Sequence, residues 1–222
     1  MLKAMRKAVY WVVTILTPIV IVLLIVRLLL TPVFIQIEYR MPYFPKDSYG
    51  FTMDERLYWS NVSRQYLLNK DGIEFLSKQE LPEDKPLYNA RELRHMEDVK
   101  QVVKWSMRVL VVSAVTLLVI GMWAGSTKQT KTFLMALKKG AWLTIGLIVM
   151  IFAFIALSFD TFFIEFHRVF FEEKTWLFLY SDTLIRLFPE RFWMDAFVAI
   201  SVLSILIAGA LLFTVNRKLR KV

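Results

Sequence analysis

Residues 89 to 123 read NARELRHMEDVKQVVKWSMRVLVVSAVTLLVIGMW. Asn89 and Glu92 have the spacing of a capping box, in which two residues satisfy each other's orphan backbone N–H groups at a helix start. Nothing that follows breaks a helix before the apolar stretch Val102 to Trp123. That stretch is long enough to cross a hydrocarbon core about 30 Å thick. One helix is therefore predicted, charged in its first turns and apolar beyond, with its polar head standing outside a bilayer.

Three further stretches reach the same length: Val9 to Leu30, Ala141 to Phe159 and Phe192 to Val215. A mean hydropathy of +0.49 with 57% hydrophobic residues exceeds what a soluble core of 222 residues needs. The expected fold class is an α-helical membrane protein, with four transmembrane helices and a small mixed α/β extracytoplasmic domain formed by two outer loops. By number, the spans are 9–30, 102–123, 141–159 and 192–215, and the outer loops are 31–101 and 160–191. A head of 1–8, a link of 124–140 and a tail of 216–222 are expected on the cytoplasmic side. These three segments hold 11 lysines and arginines, whereas the 19 acidic residues lie in the outer loops or at their borders, so the positive-inside rule places both termini in the cytoplasm. The net charge of +9 then reflects topology and offers no case for nucleic acid. The first span is long for a secretion signal and has no small-residue cleavage pattern, so it reads as a retained anchor. The spans are poor in ionisable groups, which argues against a channel, proton relay or charge-coupled transporter. Gly121 and Gly125, in GMWAG, have the spacing of closely packed helices.

The outer loops carry local signals of their own. In FIQIEYR (34–40) apolar and polar residues alternate, which predicts a half-buried strand. Thr52 and Glu55 form a second capping-box pair before a helical pattern that Asp71-Gly72 ends. IEFLSKQELPEDKPLY (73–88) predicts a short strand and a proline-bearing loop, TWLFLY (175–180) another strand, and Ser181 or Asp182 starts a short helix that Pro189 interrupts.

The chain has two histidines. His95 is expected on the outward extension of the second span and His167 a similar distance beyond the third, which puts both imidazoles at the outer headgroup level on neighbouring helices. Arg91, His95 and Asp98 share one helix face, where Asp98 would orient the imidazole or raise its pKa and Arg91 or Arg94 would hold an anion. Phe163, Phe166, Phe170 and Phe171 surround His167 with apolar surface, fit for acyl chains or for an interfacial aromatic belt. Simpler readings stand beside these: a structural imidazole in a wet headgroup layer, and a solvated charged face. Asp98 or Asp160 would complete a metal site with the histidines, but neither HxxxH nor HExxH is present, and no metal is expected. GxSxG, SxxK and cysteine nucleophiles are missing as well.

YNARELRHMEDVK (88–100), FHRVFFEEKTWLF (166–178) and LIRLFPERFWMDA (184–196) together resemble the lipoprotein intramolecular transacylase (Lit) family, four-helix membrane proteins of Gram-positive bacteria. The resemblance implies an acyltransferase that moves the sn-2 acyl chain of a diacylated lipoprotein onto the α-amine of its N-terminal cysteine, giving the lyso form. It implies His95 and His167 as catalytic residues, and the spacing around them adds Arg91, Arg94, Asp98, Phe163 and Phe170 as substrate-binding candidates. No cofactor is needed, because both reactants belong to one molecule held among membrane lipids. One histidine would act as general base and the other would protonate the leaving glycerol oxygen or position the ester, or a histidine would attack as a nucleophile. Two other classes fit the same residues: an accessory protein that binds a partner through its outer domain, and another interfacial lipid acyltransferase or hydrolase.

Overall fold

A computed structural model describes residues 2–171 and 175–221. Met1, Val222 and the Glu172-Glu173-Lys174 part of the second outer-loop motif lie outside the described residues. The chain divides into two compact units, one of Met1–Arg27, Met107–Leu157 and Val198–Val222, the other of Leu28–Ser106 and Ser158–Phe197.

The first unit is built from α1 (Leu2–Leu29), the apolar part of α5 (Ala90–Ser126), α6 (Thr130–Leu157) and most of α9 (Glu190–Leu219). All four helices are long and apolar enough to cross a membrane. Large apolar side chains such as Val111, Leu118, Met122, Met150 and Leu206 are exposed, as expected of a surface whose solvent is lipid. Three buried threonine hydroxyls in this unit bond back along their own helix: Thr14 Oγ1 donates to the Tyr10 carbonyl at 2.9 Å, Thr17 to Val13 at 2.7 Å and Thr144 to Gly140 at 2.9 Å. These three hydroxyls are thereby not left bare in apolar surroundings, whereas the buried Ser204 Oγ of α9 has no partner among the described residues.

Pro18 lies inside α1 and has no N–H to give the Thr14 carbonyl four residues earlier. Gly140 of α6 sits at that same place, where an added Cβ would stand 2.9 Å from the Thr14 carbonyl oxygen and 2.5 Å from Thr17 Cβ. Gly140→Ala is expected to cost about 1–3 kcal/mol through overpacking, read as a lowered thermal midpoint in detergent. An unchanged midpoint would show that α1 moves aside freely. Gly121 also marks close packing, since a Cβ there would meet the Phe133 ring at 3.2 Å, whereas Gly125 faces open space.

The second unit is mainly helical. It contains α2 (Pro32–Glu38), α3 (Met53–Leu68), α4 (Glu74–Ser77), the first turns of α5, α7 (Phe159–Phe170), α8 (Thr183–Leu187) and the start of α9. Its sheet is one antiparallel ribbon, β1 (Glu80–Leu81) against β2 (Lys85–Pro86), with Glu80 opposite Pro86 and Leu81 opposite Lys85. The capping box of α3 forms as its spacing predicts: Thr52 Oγ1 accepts the Glu55 N–H and the Glu55 carboxylate accepts the Thr52 N–H.

Two predicted strands are not strands. Residues 34–38 belong to α2, which starts at Pro32, a residue whose fixed φ suits a first helical position. Ile35, Glu38 and Tyr39, spaced as one helix face, are buried, whereas Ile37 is 56% exposed, so the helical period decides burial. TWLFLY has no ladder partner and runs irregularly into the turn before α8.

Lys104 and Arg108 fall within the expected second span, and Asp195 within the fourth, so those spans are not free of charge at their ends. Asp195 accepts a hydrogen bond from Arg191 one turn earlier.

The core of the second unit gathers Val62, Tyr66, Leu76, Leu87, Tyr88, Met96, Leu184 and Leu187. A polar latch completes it. Arg56 is 3% exposed and donates from Nε and Nη2 to the Arg186 carbonyl at 3.0 and 2.8 Å, and from Nη1 to the Pro45 carbonyl at 2.7 Å. Its guanidinium lies against the Tyr39 and Phe44 rings, and the Arg186 side chain makes a two-bond ion pair with Asp47.

Candidate active site

His95 is placed by the capping box at the start of α5. Asn89 Oδ1 accepts the Arg91 and Glu92 N–H groups at 3.0 and 3.1 Å, and Glu92 Oε2 accepts the Asn89 N–H at 2.8 Å. The other Glu92 oxygen accepts the Leu184 N–H of α8 at 2.7 Å. This carboxyl, 1% exposed, caps one helix and clamps a second to it. Burial raises its pKa and the backbone N–H groups oppose that rise. His95 follows three residues later on the same face as Glu92.

His167 arrives differently from the sequence expectation. The third apolar helix stops at Leu157, and Ser158, in an extended conformation, caps a separate helix, α7, with its Oγ accepting the Thr161 N–H. His167 stands in the last turn of α7 and its Nδ1 lies 2.8 Å from the Phe163 carbonyl oxygen.

The two imidazoles come together. Their ring centroids are 6.1 Å apart with planes inclined by 21°, and each residue is 8% exposed. Phe171 and Phe178 flank His95 at 4.9 and 5.3 Å. Phe163, Trp176 and Phe171 pack on His167 at 4.1, 4.8 and 5.5 Å.

This surround sets the electrostatics. Burial, followed by the neighbouring His167, pushes the His95 imidazole down to about 4, and burial also lowers His167 against the opposing pull of the Phe163 carbonyl. Both rings are then neutral at pH 7. A carbonyl oxygen only accepts, so Nδ1 of His167 carries the proton and its Nε2 presents a lone pair. The pair is a neutral imidazole with an available lone pair in apolar, aromatic surroundings, with a second neutral imidazole beside it.

Because the chain has two histidines, ring nitrogen resonances of histidine-labelled protein report them without crowding. His95 is expected to titrate near pH 4 and His167 below its ordinary 6.5, with His167 in the Nδ1–H tautomer. A midpoint at or above 6.5 for His95 would contradict the buried geometry. The sign for stability follows: the unfolded chain binds protons that the folded one refuses, so stability falls as pH drops from about 6.5 toward 4.

The remaining expected site residues divide. Phe163 packs directly on His167, while Phe170, exposed, packs on Phe166 and Phe171 one ring further out. Arg91 is held in an ion pair with Asp182 at 2.9 Å, against the Phe178 ring. Asp182 also accepts from Asn89 Nδ2 and the Leu179 N–H, so this cluster ties the 177–182 segment to α5. Arg94 is exposed. Asp98 lines a cleft of about 320 Å³ with Tyr66, Asp71 and Lys100. It is not among the causes of the His95 shift, which runs opposite to the rise expected from a carboxylate neighbour.

Trp176 and Phe178 are site residues that the sequence reading missed. Their signal was the alternation in TWLFLY: Leu177 and Leu179 are exposed, while Trp176 and Phe178 pack on the histidines. The extended period was legible even though no ladder forms.

The family model described as lipoprotein intramolecular transacylase Lit matches residues 11–193. An uncharacterized protein of Aquifex aeolicus (strain VF5) is 29% identical over 211 residues, covering 95% of this chain and 94% of that one. Among solved structures, the membrane-integral lipoprotein intramolecular transacylase Lit from Bacillus cereus superposes with a TM-score of 0.75 at 21% identity, covering 99% of this chain and all of that one. A variant of the same protein with a histidine-to-alanine substitution gives 0.68 at 19% identity, covering 99% and 97%. The fold and the family match define a membrane-integral acyltransferase. Within that class, the chain belongs to the lipoprotein intramolecular transacylase Lit family.

Proposed function

We propose that this protein moves the sn-2 acyl chain of a diacylglyceryl lipoprotein to the α-amine of the N-terminal cysteine, with His95 and His167 as the acid–base pair. The observation that carries this reading is the pair itself: two buried neutral imidazoles 6.1 Å apart, one with a fixed Nε2 lone pair. The amine enters as an ammonium with an ordinary pKa of roughly 8 and releases one proton to water. Its nitrogen attacks the ester carbonyl carbon as His167 Nε2 accepts a second proton. The tetrahedral species collapses by breaking the bond to the glycerol oxygen, which takes that proton back, with His95 positioned for the relay. An amide and a free glycerol hydroxyl result, and no external acyl donor is consumed. Holding amine and ester in one bound molecule lowers the barrier by several kcal/mol.

The site operates at the extracytoplasmic membrane surface, a placement supported by the positive-inside pattern of the links. The elements that carry His167, Trp176 and Phe178 also expose Ile164, Val169, Phe170, Leu177, Leu179 and Tyr180, an apolar rim suited to lipid tails. Phe163 and Phe170 line the acyl chain in this reading. Exposed Arg94 faces the headgroup layer, Arg91 holds the segment that carries Phe178, and Asp98 approaches the peptide.

The test is tandem mass spectrometry of a model lipoprotein's N-terminal lipopeptide, made with and without this protein in a host that leaves lipoproteins diacylated. Intact mass does not change when an acyl chain moves within one molecule. An N-acyl cysteine fragment bearing a monoacylglyceryl thioether is the expected result. An unchanged diacylglyceryl pattern from well-expressed protein would overturn the reading.

A further inference from the structure

Among the described residues four buried polar side-chain atoms have no hydrogen-bond partner, and two of them are His95 Nδ1 and Trp176 Nε1. Both belong to rings that pack around His167, at 6.1 and 4.8 Å between centroids. An indole N–H is a donor only. Leaving it buried and unpaired costs about 1–3 kcal/mol, and a phenylalanine would fill the same apolar shell without that cost. Such an orphan beside a base is what an oxyanion site needs: a fixed donor in a water-poor place, unpaired until negative charge develops.

We infer that the Trp176 indole N–H is an oxyanion donor, hydrogen-bonding the acyl carbonyl oxygen as it becomes the tetrahedral oxyanion. This rests on the acyl-transfer reading above and adds a residue to it. The position suits the role. The indole and the His167 ring lie 4.8 Å apart between centroids, so the unpaired donor belongs to a ring in contact with the proposed base. The arginines offer a poorer match, because Arg91 is committed to Asp182 and Arg94 is exposed. As the nitrogen–carbon bond forms, the carbonyl π electrons move onto oxygen, and Trp176 stabilises that charge. When the bond to the glycerol oxygen breaks, the electrons return and the donor is released unchanged.

Trp176→Phe removes the N–H. Replacement of Trp176 by 3-benzothienylalanine is the finer probe, because sulfur takes the place of the N–H while the bicyclic ring remains. Initial rates on a diacylglyceryl lipopeptide, with His167→Asn alongside, give kcat and KM. Each Trp176 change is expected to lower kcat about 100-fold with little change in KM. If the phenylalanine variant does not fold, the sulfur isostere decides. A sulfur isostere with kcat near that of the parent, or with its loss confined to KM, beside an inactive His167→Asn overturns the oxyanion role and leaves the site reading standing. A fully active His167→Asn overturns the site reading and this inference with it.

Discussion

His167→Asn is expected to lower kcat for acyl transfer about 1,000-fold while leaving the fold intact. The asparagine amide N–H occupies nearly the place of Nδ1 and keeps the bond to the Phe163 carbonyl, 2.8 Å away in the parent, so the last turn of α7 stays capped. What disappears is Nε2, the lone pair that takes the proton from the amine in the proposed reaction. A His167→Gln change does the reverse: it reaches the Nε2 position with a polar atom but supplies no base, and it too should be inactive. His95→Asn should cost less, because His95 acts on a proton already in the site. The measurement is the yield of N-acyl cysteine lipopeptide per enzyme over a fixed time. Full activity of both asparagine variants would remove the histidine pair from the chemistry and favour an accessory role.

Arg56→Met is expected to have the largest effect on stability. The methionine follows the arginine stem over the Tyr39 and Phe44 rings, but it leaves the Arg186 and Pro45 carbonyls without the three N–H groups that now serve them. The carbonyls are part-buried, and an unsatisfied polar group costs about 1–3 kcal/mol when fully buried, so a loss of roughly 2 kcal/mol follows. The readout is the thermal midpoint in detergent. Because α8 also supplies the Leu184 N–H to Glu92, loosening it frees the first turn of α5, and activity should fall in step with the folded fraction. An unchanged midpoint would mean that water reaches these carbonyls when the guanidinium is gone.

Both capping boxes formed where spacing placed them, and the four apolar stretches are helices, because these signals depend on residues within one or two turns of each other. The segment 34–38 misled: its alternation was real, but Pro32 and the burial of Ile35 with Tyr39 selected a helix. Isolated alternation over a few residues decides nothing until a ladder partner exists. His95 and His167 stood out as a pair from their rarity and their matched positions beside the spans. Trp176 did not, since one aromatic in a short apolar run looks like any other until its neighbours are known.

The sequence by itself determined the membrane class and the two capping-box helix starts, and it singled out His95 and His167, because hydropathy and capping are local properties of the chain. The tertiary structure decided the state of those residues. Asp98 lies on the same helix face as His95 and predicts a raised pKa, yet Phe171, Phe178 and His167, each more than seventy residues away, take His95 out of water and push it down. Arg91, expected from its spacing to hold an anion, is paired with Asp182. Desolvation and long-range pairing depend on which distant atoms fill the space around a group, and that is settled only when the chain closes on itself.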